Sequence, residues 1–212
     1  AIDNFENEGE GVSDLFSVTD NTPPEVAIST PGIAETGVVT SVNWVASDNT
    51  GFRSHHLYLS VDSGQTFVLI DSTSGESSSF AWNVPDSIVS NVCLMKIISY
   101  DLVNLSAVDT SGVFSIIDVI PPQVSALEPT GGSTIPEYDS LTVEWTATDN
   151  IGVDSVQVFY SNDGGVEYVL MGSLASPTAD SLVFAVPAGV TSSAKVKILA
   201  LDAHGNSDYD ES

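Results

Sequence analysis

Hydrophobic and polar residues alternate with a period of two along almost the whole chain. In one such segment Val42, Trp44 and Ala46 fall on one side, while Asn43 and Ser47 fall on the other. This alternation predicts β-strands that turn one face to a core and the other to solvent. Predicted strands lie near 25–30, 40–47, 55–61, 66–71, 78–84, 92–100 and 112–118, then near 123–127, 140–148, 154–161, 167–172, 181–186 and 194–201. No stretch has the periodicity of an amphipathic helix, so an all-β fold is expected.

The second half of the chain repeats the first. Residues 42–51 return as residues 143–152, and the offset between the two tryptophans is 145 − 44 = 101. A repeat of this length is a whole small domain rather than a solenoid turn. Seven strands in about a hundred residues are typical of an immunoglobulin-like or fibronectin-III-like β-sandwich. The sequence therefore predicts two tandem Ig-like β-sandwich domains, at residues 21–118 and 119–212.

The two ends of the chain are out of step with this repeat. Residues 15–20, Leu-Phe-Ser-Val-Thr-Asp, match residues 113–118, Val-Phe-Ser-Ile-Ile-Asp, and two prolines follow each segment after a short gap. Residues 1–20 are therefore interpreted as an N-terminal arm that carries the last strand of a preceding repeat. Ser212 aligns with Ser111, so the second domain is expected to lack its final strand.

A spare strand and a missing strand allow two interpretations. An open sheet edge invites association, and residues 12–20 of one subunit would complete the second domain of the next by strand addition. That pairing would produce a head-to-tail filament. Alternatively, the chain is a slice of a longer array. The duplicated loop at residues 1–13 favours a slice, because donation needs only the strand.

Composition restricts the partners and the chemistry. The chain has 29 acidic and 4 basic residues, for a formal net charge of −25, which excludes a basic surface for nucleic acid. The chain has no apolar run long enough to insert into a membrane as a helix. Cys93 is its one cysteine, so the sequence predicts neither an intrachain disulfide nor a cysteine-based zinc site.

Acidic residues recur in the loops. Asp48-Asn49 and Asp149-Asn150 follow the second strand of each repeat, and Asp101 and Asp202 follow the sixth. In this topology both strands run toward the pole at which the chain enters the domain. Calcium binds six to eight oxygen ligands in flexible geometry, so we expect these side chains to form calcium sites. The alternative is that they only form turns. The predicted ligands are Asp20, Asp48, Asp101, Asn104, Asp118, Asp149, Asp202 and Asn206.

Other motifs predict structure rather than chemistry. Residues 60–67 resemble an Asp-box hairpin, in which Asp62, like Asp163 in the second copy, is expected to hydrogen-bond the turn. The three tryptophans alternate inward and are interpreted as core rather than as platforms for sugars. His55 and His56 have no counterparts in the second repeat, and no nucleophile elbow is present. No catalytic set is expected, and the protein is predicted not to be an enzyme.

The order of these motifs resembles a known family. An x-W-x-A-x-D-N-x-G segment, an S-x-D-x-G turn, a strand that ends in V-P and a D-x-x-x-N turn follow one another, which is similar to the Ig-like repeats of large secreted and cell-surface bacterial proteins. The resemblance implies an extracellular location and a stalk, surface layer or filament made with copies of itself or neighbouring repeats. The alternative is a spacer, or accessory repeats that bind carbohydrate or cell wall, within a larger secreted hydrolase or adhesin.

Overall fold

The computed structural model describes residues 10–175 and 180–212. In these residues the only regular elements are β-strands, sixteen in number, and no helix has the length and apolar character needed to cross a membrane. The first domain contains β1 (Glu25–Ile28), β2 (Ala34–Glu35), β3 (Val39–Ser47), β4 (Phe52–Ser60), β5 (Val68–Ser74), β6 (Ser79–Asn83), β7 (Ser90–Asp101), β8 (Ser106–Thr110) and β9 (Phe114–Ile117).

Two sheets make up the first domain. One sheet has the strand order β1-β3-β6, and the other has the order β2-β9-β7-β4-β5. The long strand β7 has two partners on the same side: β8 pairs with its C-terminal half and β9 with its N-terminal half. Two facing sheets, antiparallel except for the short β2–β9 pair, form an immunoglobulin-like and fibronectin-III-like sandwich with these crossovers, which confirms the predicted fold class.

The second domain repeats this plan without β9. Its strands are β10 (Gln123–Glu128), β11 (Ser140–Thr148), β12 (Val153–Ser161), β13 (Val169–Ala175), β14 (Ser181–Ala185), β15 (Lys195–Asp202) and β16 (Ser207–Glu211). They form sheets of order β10-β11-β14 and β13-β12-β15-β16. β16 is the counterpart of β8. Among the described residues no strand takes the place that β9 and β2 have in the first domain.

The sequence pattern missed β2, β8 and β16. Strand β2 has only two residues, and it pairs in parallel with β9. Strands β8 and β16 are short, and their half-buried positions carry small or acidic side chains, so they lack the apolar alternation that marks a half-buried strand. The last strand of the fold is thus divided in two, and among the described residues the second domain has a counterpart of the first part alone. The arm was predicted to carry a strand; its described residues, 10–20, form none within this chain.

Each domain has its own apolar core. Trp44, Trp82 and Trp145 are at most 3% exposed, as the inward alternation predicted. Burial of large apolar side chains contributes about 1.5–3 kcal/mol each to stability. Cys93 is also fully buried, in the core of the first domain. Packing in the two cores determines where the strands lie, and the acidic loops are positioned because they begin at the ends of these strands.

Candidate functional site

Three aspartates meet where the chain enters the first domain. Asp20 precedes β1, Asp48 follows β3 directly and Asp101 is the last residue of β7. One carboxylate oxygen of each lies within 4.8 Å of the other two. We call this group the first acidic pole. The structure therefore brings together three of the predicted ligands from distant parts of the sequence.

At the first acidic pole two aspartates each use one oxygen to shape a turn. Asp101 Oδ1 accepts hydrogen bonds from the backbone amides of Val103 and Leu105, at 2.9 and 2.8 Å. Asp48 Oδ2 accepts from the amides of Thr50 and Gly51, at 2.7 and 3.0 Å. Asp101 Oδ2 and Asp48 Oδ1 are buried and have no hydrogen-bond partner. Turn formation thus accounts for one oxygen atom of each carboxylate and leaves the other oxygen atom without a hydrogen bond.

Asp20 ties the preceding linker to this loop. Its carboxylate accepts hydrogen bonds from the amide of Thr22, the side-chain amide of Asn49 and the hydroxyl of Thr50, all at 3.0 Å. These hydrogen bonds, with that of Thr22 the largest influence, lower the pKa of Asp20 below its usual value. Asp20 is therefore held in its charged form beside two other carboxylates.

Asn104 does not join the group as predicted. Its side-chain oxygen accepts a hydrogen bond from the Arg53 guanidinium, which also donates to the carbonyl of Leu102 at 3.2 Å. Among the described residues the salt bridges are Lys195 with Glu211 and His204 with Asp118. No described basic side chain therefore pairs with the first acidic pole, and Arg53 is engaged at its margin.

A second acidic pole lies at the junction of the two domains. It comprises Asp118, just after β9, together with Asp202 and His204 from the turn that follows β15. Each of the three offers a ligand atom within 4.8 Å of the others. His204 stands in this group where the repeat predicts Asp149. In the sequence His204 could have been noticed because it lies two residues after Asp202, in the same turn. The corresponding turn of the first domain has no histidine.

Asp118 is nearly buried and is held from both domains. Its Oδ1 accepts hydrogen bonds from the hydroxyl of Thr36, at 2.8 Å, and from the side-chain amide of Asn150, at 3.0 Å. Burial raises its pKa, but the hydrogen bonds from Asn150, Thr36 and Ile120 outweigh burial, so the pKa of Asp118 is lowered. Its other oxygen, Oδ2, has no hydrogen bond and lies 3.6 Å from His204 Nδ1.

The other residues predicted as ligands at the junction lie in the turns around the second acidic pole, although Asp149 is not one of the three residues that form it. Asp202 Oδ1 accepts from the amides of His204 and Asn206, both at 2.8 Å, and its Oδ2 accepts from the Asn206 side chain at 2.6 Å. Asp149 Oδ1 holds its own turn, while Asp149 Oδ2 and Asn150 Oδ1 are buried without partners. The junction therefore gathers unpaired buried oxygen atoms, as the first acidic pole does.

A groove opens at the opposite end of the second domain. This strand groove has a volume of about 710 Å³ and is lined by residues 129–137, 189–192 and 194–196, together with Leu141, Tyr160, Val186 and Ser212. Its floor includes Thr191 and Ala194, which lie 101 residues after Ser90 and Cys93. In the first domain, Ser90 and Cys93 are the residues of β7 that face Ile116 and Phe114 of β9. The groove thus occupies the position of the missing β9.

The described part of the N-terminal arm is exposed along its length. Phe16 and Val18 are 80% and 87% exposed, although the residues they match, Phe114 and Ile116, are 5% and 1% exposed. Large apolar side chains at this exposure are costly to keep in water. The chain thus presents an unburied copy of β9 and, elsewhere, a groove that lacks one.

The two Asp-box hairpins have the structural role predicted for them. Asp62 accepts from the amide and the hydroxyl of Thr66, at 2.9 and 2.6 Å, and from the hydroxyl of Ser60 at 2.7 Å. These bonds, led by the Thr66 hydroxyl, lower the pKa of Asp62 to about 2. Asp163 accepts from the Ser161 hydroxyl at 2.7 Å and from the turn amides in the same way.

Two groups of aromatic side chains on the strand faces are each covered by a lysine. Lys96 lies over the rings of Tyr58 and Phe67, at 4.8 and 4.1 Å from their centroids. Lys197 lies over the rings of Phe159, Tyr168 and Tyr209, at 5.0, 4.2 and 5.7 Å. These distances are those of cation–π contacts. A sugar would have to displace the lysine in order to stack on these rings.

Part of the chain matches a known protein family, and most of it resembles several solved structures. The model of the bacterial Ig domain family matches residues 122–198. No curated protein sequence matches the chain. Fibronectin(III)-like modules of Clostridium thermocellum CbhA align at 16% identity over 88% of this chain and 91% of theirs, with a TM-score of 0.39. A structure from a 1.5-MDa bacterial ice-binding adhesin aligns at 10% identity over 91% of this chain and 65% of the adhesin chain, with a TM-score of 0.34.

The fibronectin domains FN1–FN3 of chicken CNTN1 align at 13% identity over 92% of this chain and 68% of theirs, with a TM-score of 0.35. The family match falls in the second domain. The first domain has the same strand plan and repeats the same sequence motifs at an offset of 101 residues. The chain therefore consists of two tandem Ig-like repeats, the second of which matches the bacterial Ig domain family.

Proposed function

We propose that the protein is a non-enzymatic, extracellular structural protein whose Ig-like domains assemble head to tail into a stalk, surface layer or filament. In this proposal, residues 12–20 of one copy fill the strand groove of the next. The observation that carries it is the correspondence between the groove and the arm: the groove has the position of β9, and the arm has the sequence of β9 with its side chains in water.

Side-chain chemistry supports this fit. In the first domain Phe114 packs edge-on against Trp82, with ring centroids 6.3 Å apart. In the second domain Tyr160, which lines the groove, packs in the same manner against Phe184 at 6.2 Å. Phe16 would meet this aromatic pair, as Phe114 meets Trp82. Burial of Phe16 and Val18 would contribute about 1.5–3 kcal/mol each.

The backbone also offers a place for an added strand. β16 pairs with β15 from Lys197 to Leu201, and Ser212 continues this pairing to Val196. Among the described residues, no strand pairs with residues 190–194 on that side. An extended peptide that adds to such an edge gains main-chain hydrogen bonds, while its alternate side chains fill pockets. The arm supplies that alternation at Phe16 and Val18.

Location outside the cell is supported by the family match and by the charge. The match of residues 122–198 to the bacterial Ig domain family agrees with the resemblance of the sequence motifs to repeats of secreted and surface proteins. A net charge of −25 keeps such a chain soluble and repels nucleic acid. The proline pairs at 23–24 and 121–122 restrict the backbone at the start of each domain, which favours a stiff array over a flexible string.

Sedimentation velocity over a range of concentrations tests the assembly. The wild-type chain is expected to form oligomers that grow with concentration, because a head-to-tail contact does not close. Phe16→Asp with Val18→Asp should leave monomers, since both side chains would enter the groove. Leu15→Asp is the matched control, because its counterpart Val113 is 63% exposed in the first domain.

Three outcomes distinguish the possibilities. Loss of assembly in the double variant but not in Leu15→Asp supports strand donation. If both variants lose assembly equally, added charge on the arm prevents assembly whichever face of the arm carries it. That result contradicts the proposed register, in which only Phe16 and Val18 enter the groove. A wild-type chain that stays monomeric at every concentration rules out donation and leaves the role of a spacer within a longer array.

A further inference from the structure

We propose that each acidic pole binds a divalent cation, with Ca²⁺ as the ion of the first pole, and that each ion fastens the linker in front of a domain to that domain. At the first pole the ligands are Asp20, Asp48 and Asp101. At the second they are Asp118 and Asp202, with His204 beside them. This inference does not depend on strand donation, since both poles lie within one chain.

The unpaired buried oxygens carry the argument. Asp101 is fully buried, and its Oδ2 has no hydrogen-bond partner, nor has the buried Oδ1 of Asp48. Such an oxygen in a carboxylate costs free energy unless a proton or a cation compensates it. No described basic side chain forms a salt bridge with these aspartates. A bound cation would compensate both oxygens at once.

A related arrangement is found at the junction. Asp118 is 6% exposed and its Oδ2 has no hydrogen bond, while the nearby loop contributes the unpaired Oδ2 of Asp149 and Oδ1 of Asn150. Both oxygens of Asp202, in contrast, accept hydrogen bonds, Oδ2 from the Asn206 side chain. Each pole thus has a buried aspartate with one unpaired oxygen, although the third member of the group is Asp48 at the first pole and His204 at the second.

The chemistry of the first pole selects calcium. All three ligands are carboxylates, which are hard oxygen donors, and three charges in one group suit a divalent ion of flexible coordination. Magnesium requires a tighter octahedron and gives up its water less readily. At the second pole His204 adds a nitrogen, a ligand that transition metals bind better than calcium does. The two poles should therefore differ in selectivity.

The position of each pole gives the ion a mechanical role. Asp20 belongs to the linker before β1, whereas Asp48 and Asp101 belong to the body of the first domain. Likewise Asp118 follows β9 of the first domain, and Asp202 lies at the end of β15 in the second. An ion held by both sides would restrict the angle at which successive domains meet. One such clamp per repeat would stiffen a tandem array.

Titration calorimetry with Ca²⁺, after treatment with chelator, tests the proposal on the full chain. Dissociation constants on the order of 0.1–1 mM are expected, the range of extracellular modules. Asp101→Asn should abolish binding at the first pole and spare the second, and Asp202→Asn should do the reverse. In Asp101→Asn the asparagine keeps Oδ1 as the acceptor that holds the turn and replaces an oxygen without a hydrogen-bond partner, so the fold is expected to persist. In Asp202→Asn the asparagine also keeps Oδ1, but the side-chain amide of Asn206 must turn over to accept a hydrogen bond from the new amide.

Two further variants keep the result interpretable. Asp20→Asn changes a linker residue outside the sandwich, so it should weaken Ca²⁺ binding at the first pole by about tenfold or more without a change in folding. Glu144→Gln removes one charge from an exposed position on β11 and should leave both sites intact. The proposal is overturned if Ca²⁺ at 10 times these concentrations gives no heat and no rise in melting temperature, or if the Asp variants bind as Glu144→Gln does.

Discussion

His55 Nδ1 lies 2.8 Å from Ser99 Oγ, across the pairing of β4 and β7, and the second domain replaces both residues by apolar ones. Val156 and Ala200 face each other there in the same register. His55 Nε2 lies 3.3 Å from the carbonyl of Gly75, which can only accept. Nε2 therefore carries the hydrogen, and Nδ1 accepts the hydroxyl hydrogen of Ser99. The same buried position of the fold is thus filled by a hydrogen-bonded polar pair in the first domain and by an apolar pair in the second.

Replacement of Ser99 alone should cost more than replacement of the pair. Ser99→Ala leaves a buried ring nitrogen without a partner, which costs about 1–3 kcal/mol. His55→Val with Ser99→Ala copies the second domain and should recover part of that loss. Amide hydrogen exchange of β4 and β7 measures the local stability in the intact chain. A double variant less stable than Ser99→Ala would contradict this account.

The first domain should weaken in mild acid through His55. Burial is the main cause that lowers the pKa of His55 below its usual value of 6.5. The folded state therefore prefers the neutral ring, and its stabilising contribution is complete above pH 6.5. That contribution is lost as the pH falls from 6.5 through the lower pKa of the folded state. Amide exchange of β4 should accelerate between pH 7 and 5 after correction for intrinsic rates.

The repeat provides the control for this pH effect. Strand β12 carries Val156 at the position of His55, so its corrected exchange should change less over the same interval. The variant with His55→Val and Ser99→Ala should make β4 behave like β12. Equal acid sensitivity of β4 in wild type and variant would show that another group is responsible.

The Asp-box hairpin of the first domain should depend on pH in a lower range. The pKa of Asp62 is depressed to about 2, from 3.8, because Thr66 and Ser60 hydrogen-bond its charged form. Its stabilising contribution is thus present above pH 3.8 and is lost as the pH falls toward 2. Asp62→Ala should accelerate amide exchange of residues 63–67 at pH 6, and the difference from wild type should shrink at pH 2.5.

Asp163 offers a matched comparison for Asp62. Its pKa is also lowered, first by the Ser161 hydroxyl, but Glu167 stands where Thr66 donates a hydroxyl hydrogen in the first hairpin. Asp163→Ala should therefore have a smaller effect on its hairpin than Asp62→Ala has on the first. A larger effect of Asp163→Ala would show that the Thr66 hydroxyl is not the main source of the difference.

The sequence revealed those features that alternate or recur. The tryptophans and the first acidic pole were predictable because strand periodicity fixes the inward positions and topology fixes the poles. The role of Asn104 was not predictable, since it depends on one neighbour across the fold. Asn104 accepts a hydrogen bond from Arg53 on β4, and it holds the left-handed turn position (φ 72°) that Gly205 holds in the second domain (φ 95°). Asn206 stands instead at the position of Leu105 and donates to Asp202, and Asp154 replaces Arg53. Such a contact between a strand and a turn leaves no periodic trace in the sequence.

The division of the last strand was also beyond the sequence pattern. Gly112 stands between β8 and β9, where an added Cβ would lie 2.8 Å from the hydroxyl of Thr30. The amide of Gly112 donates a hydrogen bond to that same hydroxyl. A side chain at position 112 would therefore displace the Thr30 hydroxyl from this hydrogen bond, at the point where the chain passes from β8 to β9. In the sequence the division of the strand is marked only by one glycine between two short segments. The effect of that glycine depends on its packing against Thr30.

An added copy of β9 should close the strand groove. We suggest extending the chain after Ser212 with Gly-Val-Phe-Ser-Ile-Ile-Asp, the sequence of residues 112–118, because Ser212 hydrogen-bonds Val196 as Ser111 does Met95. Burial of the Phe and of the Ile two residues later would fill the groove, and the added strand would supply main-chain hydrogen bonds to the open edge. The melting temperature of the second domain should therefore rise.

The control for this extension has Asp in place of its Phe and of the Ile two residues later. It has the same length and cannot fill the apolar floor of the groove, so it should leave the melting temperature unchanged. The first extension should also suppress any assembly of the wild-type chain, because the groove is then occupied within the same molecule. If both extensions raise the melting temperature equally, the groove does not recognise the side chains of β9. Calorimetric melting and sedimentation of the two proteins side by side would decide this.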